Sequence, residues 1–522
     1  MHLYNYSALL HKLSMSEKKV LETLEKNPAG LSISEIAEQS KLHRNTVTTV
    51  IKKLQENGKV ELKKLGSAKL YYLKKYSSLH KLESGYKGKN ISVGIGVSDL
   101  QDGYQAAISA AKQAAMQSSK GKKPSFSLVF VSSKYNPQID KVVKGINKII
   151  GFKNWIGCTT DKELNSILGY SKGTIEVLCI DTKYMHFGIG ISEDYRKNPP
   201  EEAKKATMKA IEDCPVDRSK FATTLFMRSA KKCFVDLTKN PPYFVLTLIG
   251  GTYFKNKKAI PGMESEFLEG IKEITGPFIP IVGASASFDA EEMLNYRGEN
   301  YVFANGKYYK DGAVVCFGVS DLYFSYGAEH AYVQTNKYST ITKISRNGRI
   351  IEEINNKPSV DEYCKLVGIK KTKFLKASLE FQCVNPLQIF DTFGNIYPVP
   401  CGTTDGKTLF SYQKLSKNLS INIGKYDENK SLNATINTLK EIKAEFPKTD
   451  ISFLLLFSCI GRRIMLKEKV HEVINKINTA LNNVPYIGFY SNGEIGSKKN
   501  SPPQYYNFTD TFFIVFDKII VE

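Results

Sequence analysis

Apolar side chains return at helical spacing three times within the first sixty residues. In SMSEKKVLETLEKNPAG, Val20, Leu21 and Leu24 make one stripe, Ser14 and Glu17 have the spacing of a capping box, and Pro28 and Gly30 stop the helix. LSISEIAEQSKL repeats the device with Ser32 and Glu35 and turns Ile36, Ala37 and Leu42 inward. In HRNTVTTVIKKLQENGKV, Val47, Val50, Ile51 and Leu54 fall at i, i+3, i+4 and i+7, which predicts a third helix ending at Asn57-Gly58. VELKKLGSAKLYYLKK then alternates apolar and polar positions about Gly66-Ser67, the pattern of a β-hairpin. These elements predict one small unit over residues 1–76, three helices followed by a β-wing.

Opposite the apolar stripe of the third helix stand Asn45, Thr49 and Lys52, with Thr46, Thr48 and Lys53 beside them and Arg44 at the amino end. Arg and Asn can make paired hydrogen bonds to base edges, Thr offers a hydroxyl and a methyl, and Lys neutralises phosphate. Lys63, Lys64 and Lys69 of the hairpin extend the same chemistry, while the outward Glu56 must lie beyond any groove. A polar helix face is by itself most often solvated surface. Charge shifts the balance: the 522 residues carry a net charge of +21, and residues 1–76 hold 13 Lys and 1 Arg against 7 Glu, a third of that surplus on a seventh of the chain. The order of elements in LSISEIAEQSKLHRNTVTTVIKKLQENGKV resembles the winged helix-turn-helix of microbial transcription regulators. The resemblance implies double-stranded DNA as partner, and a homodimer would present two such helices to two half-sites.

Residues 77–90, SSLHKLESGYKGKN, lack an apolar period and read as a linker. Beyond them strands and helices alternate. An apolar strand, a helix and a second strand with an aliphatic-glycine pair recur three times: SLVFVSS with WIGCTTDKE, YFVLTLIGG with IVGASASFD, and FLLLFSC with YIGFYSNGE. Apolar strands joined through helices predict a mixed α/β sheet, with Gly157, Gly283 and Gly488 at strand ends where such sheets bind ligands. YFSYGAEHAYVQTNKYSTITKI alternates as antiparallel strands, so the architecture is not purely doubly wound. The expected fold class is α/β, a winged helix followed by a large mixed α/β region.

LLLFSCIGRR and YIGFYSNGEIG, in that order, resemble the FIST sensory domains, and the resemblance extends over most of residues 91–505. It implies an intracellular sensor of a small molecule such as an amino acid or related metabolite. The amino-terminal half departs from the family pattern at Lys162, where a small residue is usual. Residues 91–325 and 326–522 are expected to form the amino- and carboxy-terminal FIST domains.

Candidate ligand contacts are Cys459, Arg462, Gly488 and Glu494. Arg462 offers a planar fork to a carboxylate, that of a ligand or of Glu494; a pair of these two could open to hold a zwitterion. Cys459 follows an apolar run and reads equally well as a small core side chain. Nine scattered cysteines form no CxxC knuckle, and neither a P-loop nor a GxGxxG turn is present, so no metal or cofactor is expected. The seven histidines show no motif relation to any cysteine or serine, and a Cys459–His471 dyad, twelve residues apart, ranks below sensing. The start lacks a secretory pattern and no run reaches the roughly 18 apolar residues of a membrane helix, so a cytoplasmic protein without membrane contact is expected. The reading is a ligand-responsive, DNA-binding transcription regulator without enzymatic activity. The alternatives are an interaction scaffold with non-specific nucleic-acid affinity and a thiol-dependent enzyme on a DNA anchor.

Overall fold

The computed structural model describes residues 14–25, 30–65, 68–74, 85–216, 242–255, 258–289, 292, 295, 298–391, 393–403, 405–499 and 501–520. Pro28, Gly66-Ser67 and residues 77–84 of the expected linker lie outside the described residues, as do the side chains of Lys63 and Lys64.

The head is built as its patterning requires. Helix α1 spans Met15–Glu25, α2 Ile33–Ser40 and α3 Arg44–Glu56. Both capping boxes close: the amides of Ser14 and Ser32 donate to Glu17 and Glu35 at 2.7 Å, and the returning bonds to the two serine hydroxyls measure 3.2 and 3.3 Å. Val47, Val50, Ile51 and Leu54 are buried against Val20, Leu24 and Ile36. Each such burial stabilises by roughly 1.5–3 kcal/mol, which outweighs the weak helix propensity of the Thr and Val in α3. Strands β1, Val60–Leu65, and β2, Ala68–Leu73, pair antiparallel as the wing, and Leu31 exchanges backbone hydrogen bonds with Tyr71 at 3.0 and 2.9 Å to tie it to the helices.

Part of the expected linker is not a linker. Gly85–Lys87 is an edge strand paired with Ser92–Ser98, and Asp517 near the opposite end of the chain accepts from the Tyr86 hydroxyl at 3.0 Å and the amides of Lys89 and Asn90 at 2.8 and 2.9 Å. The segment lacks an apolar period because a distant carboxylate and a neighbouring strand, rather than a core face, hold it.

Three sheets of one plan follow. In the first, the parallel pair Phe126–Ser132 and Trp155–Thr160 is flanked by Ile175–Asp181 and Ser92–Ser98. In the second, Tyr243–Ile249 and Ile281–Ser285 are flanked by Ala313–Ser320 and Met185–Ser192. In the third, Ile451–Cys459 and Tyr486–Ser491 are flanked by Thr509–Ile519 and Leu322–His330. The far edge of each is completed by a strand from another: Lys162–Asn165 joins the third sheet, Tyr301–Ala304 the first, and Glu494–Gly496 the second. The exchange therefore runs in one cycle. Phe130, Leu246, Phe457 and Phe489 belong to one core shared by all three sheets, and the helices pack on their outer faces.

The three repeated glycines sit inside strands rather than at their ends, which corrects the expectation. Each lies in register with the partner parallel strand, and a Cβ there would come within 1.9 Å of Val129 O at Gly157, 1.8 Å of Thr247 O at Gly283 and 1.7 Å of Leu456 O at Gly488. Close approach of paired backbones demands them. The boundary expected between residues 325 and 326 falls inside Leu322–His330. After that strand the chain makes an inserted unit, residues 332–426, whose strands and short helices enclose their own core of Ile341, Tyr363, Phe374 and Ile423, before helix Glu428–Glu445 rejoins the third sheet.

Candidate functional site

On α3 the residues Arg44, Asn45, Thr46, Thr48, Thr49, Lys52 and Lys53 are all exposed, while the opposite stripe is buried. His43 Nδ1 accepts from the Asn45 amide at 3.3 Å and caps the helix, leaving the Asn45 side chain outward. The hydroxyls of Thr48 and Thr49 donate to the carbonyls of Arg44 and Asn45 at 2.9 and 3.1 Å, so their methyls and lone pairs are what a groove would meet. Lys53 differs from its neighbours: its Nζ stands 2.9 Å from the buried Glu17 Oε1 and braces α3 against α1. Lys69 is exposed on the wing.

At the carboxyl end of Ile451–Cys459, helix Ile460–Leu466 begins and carries Arg462 inward. Arg462 is 1% exposed, and the internal acid it pairs with is not Glu494, one of the two partners the sequence left open. Its Nε lies 2.8 Å from Asp510 Oδ1 and its Nη2 donates to the Ser431 carbonyl at 3.0 Å; Nη1, equally buried, has no hydrogen-bond partner among the described residues. Asp510 also accepts from the hydroxyls of Ser458 at 2.6 Å and Thr435 at 2.5 Å. The reason is topological: residue 510 stands in register opposite Ser458, whereas Glu494 belongs to the strand that crosses into the second sheet. Glu494 is fully buried and accepts from Ser491 Oγ at 2.6 Å and the Thr509 amide at 3.4 Å. Burial pushes its pKa well above the ordinary carboxylate range. Burial likewise pushes the Cys459 thiol up, which opposes formation of a nucleophilic thiolate. His471 stands edge-on to Tyr170, ring centres 5.7 Å apart, and burial lowers its pKa.

Residues 13–65 match the MarR family, residues 125–357 the FIST N domain and residues 359–497 the FIST C domain. The chain is a MarR-family winged helix fused to FIST N and FIST C domains. It therefore combines a DNA-binding module with a sensor, the composition of a ligand-responsive transcription regulator. No curated protein matches the chain. Among the described residues, no helix is long and apolar enough to cross a membrane.

The two FIST matches carry the same small device at equivalent places. Thr160 donates to Glu163 at 2.7 Å in the FIST N region as Ser491 does to Glu494 in FIST C, each carboxyl fully buried on a strand lent to another sheet. Burial raises the Glu163 pKa to about 7. Lys162, the departure from the family pattern, lays its ammonium 2.8 Å from the buried Asp161 and 3.8 Å from Asp289. Of the four expected ligand contacts, Cys459, Arg462 and Glu494 gather where the third sheet meets Phe508 and the inserted unit's Tyr332, and Gly488 is explained by strand packing. Sequence reasoning missed Asp510, which pairs with Arg462, and Ser458 and Thr435, which donate to Asp510; none of these partnerships has a local signal. It also missed Glu264, whose place beside Ser285 needs the fold.

Proposed function

We propose that this protein binds double-stranded DNA through α3 and the wing, and that a small molecule bound in its FIST region changes that affinity. One observation carries the reading: the Asn45, Thr49 and Lys52 ridge is exposed on a helix whose opposite face is sealed in a MarR-type core. Arg44, Asn45, Thr46, Thr48 and Thr49 read bases, while Lys52, Lys63, Lys64 and Lys69 meet phosphates; Lys53 serves chiefly as the brace to Glu17. A homodimer would place two recognition helices on two half-sites.

The sensor site lies at the carboxyl end of Ile451–Cys459, beside Cys459 and Glu494. Arg462 keeps Asp510 on Nε and offers Nη1 to a ligand acceptor such as the carboxylate of an amino acid. For the ligand to regulate, it must bind one arrangement of the molecule more tightly than another, because equal affinity shifts nothing.

The test is DNA binding by the full chain at several salt concentrations, with and without each standard amino acid. Sequence-selective binding that an amino acid strengthens or weakens supports the reading, and Arg462→Lys should blunt that response while leaving basal DNA affinity unchanged. Binding with steep salt dependence, no sequence preference and no response would overturn it in favour of a scaffold.

A further inference from the structure

Helix Glu264–Thr275 opens with an acid that is 2% exposed. Ser285 Oγ donates to Glu264 Oε1 at 2.7 Å; Oε2 is buried as deeply and has no hydrogen-bond partner among the described residues. Gly262 makes room for this carboxyl, since a Cβ there would lie 2.3 Å from Oε1. The surroundings come from three parts of the fold. The Ser285 amide donates to the Gly493 carbonyl at 2.8 Å, which brings in the strand lent by the third sheet. Asn507 Nδ2 reaches both the Asn492 carbonyl and the Tyr505 hydroxyl at 3.4 Å, and the inserted unit's Gln413 donates to Asn507 Oδ1 at 3.4 Å. Asn492 Nδ2 is also buried, with no hydrogen-bond partner among the described residues. Ser285 ends the parallel strand Ile281–Ser285, so its bond places Glu264 at the carboxyl end of that sheet, where open α/β sheets bind ligands.

Among the described residues, the two arginines that act on Glu264 each hold another acid. Arg349 holds Glu266 through two bonds of 2.9 and 2.7 Å, and Arg196 holds Asp311 at 3.2 Å while donating to the Gly250 and Gly251 carbonyls. Among the described residues, Glu264 has no cation of its own. Burial raises its pKa, the two engaged arginines opposing only weakly. A buried carboxylate is costly to ionise unless a cation accompanies it.

We infer that Glu264 anchors a small molecule bearing an ammonium group, which pairs with Oε2 and turns an acceptor toward Asn492 Nδ2. The inference rests on the sensor reading of the FIST region and adds the class of ligand, an amine, and its anchoring acid.

The experiment uses the full chain and follows thermal unfolding and calorimetric heat with glycine, ethanolamine and putrescine, against sodium acetate and potassium chloride at matched ionic strength. At least one amine should raise the melting temperature and bind saturably. Glu264→Gln, which keeps the shape, should weaken that binding roughly 100-fold or more because a buried charge partner is lost. Asn492→Ser, at a half-exposed position, should weaken it less and keeps the test open if Glu264→Gln does not fold. No response to any amine, an equal response in Glu264→Gln, or the same response to potassium chloride overturns the inference. Amine binding that leaves DNA affinity unchanged would instead sink the sensor reading and spare the site.

Discussion

Arg462 and Asp510 form an ion pair with both side chains almost sealed from solvent, Nε to Oδ1 at 2.8 Å. Removing one member leaves the other charged and buried. Asp510→Asn should therefore destabilise by about 3–5 kcal/mol, read as a lower urea midpoint, whereas Arg462→Met with Asp510→Leu should recover most of that loss. Equal midpoints for Asp510→Asn and the parent would show that the pair contributes nothing.

The Glu17–Lys53 brace predicts an acid sensitivity confined to the head. The Lys53 ammonium is the leading cause of a lowered Glu17 pKa, so the bond contributes stability above the pKa of the unfolded chain and loses it as pH falls through the lower folded value. Protection of the α1 and α3 amides in the full chain, after correction for the intrinsic pH dependence of exchange, should fall on acidification, and Lys53→Met should show lower protection already at neutral pH.

Glu163 titrates in the opposite sense. Its pKa rises from 4.5 to about 7, so the folded state holds the proton more tightly than the unfolded one. The resulting stabilisation is complete below about 4.5 and declines as pH rises through about 7, a difference on the order of 3 kcal/mol. Glu163→Gln should flatten the slope of stability between these values; an unchanged slope would assign it to other groups.

Gly157→Ala, Gly283→Ala and Gly488→Ala should behave alike, since each places a methyl within 2 Å of a paired carbonyl. Each should lower stability by more than about 3 kcal/mol or prevent soluble expression, because rigid backbone rather than a side chain must move. A well-folded Gly488→Ala protein would contradict the cyclic equivalence of the three sheets.

Lys52→Ala and Asn45→Ala separate two kinds of contact. Loss of the Lys52 charge should reduce the salt slope of DNA binding by about one phosphate and weaken all sequences alike, whereas Asn45→Ala should cost about 1–3 kcal/mol on the preferred sequence and relax its selection. Lys53→Ala should change the slope less than Lys52→Ala, because its ammonium is already engaged by Glu17.

The sequence alone determined the head: stripe, caps and turn glycine are local, each depends on neighbours within four residues, and α1 to α3 form where the periodicity places them. It also showed three strand-helix-strand copies, because burial on both faces leaves continuous apolar runs such as FLLLF. Tertiary structure decided how those copies interlock. Nothing near Lys162 or Glu494 says that each strand will complete another sheet, and nothing near Arg462 says that its anion comes from residue 510 rather than 494. Such pairings are set by register between segments tens to hundreds of residues apart. Burial then gives Arg462 its acid and, among the described residues, leaves Glu264 with a hydroxyl but no cation.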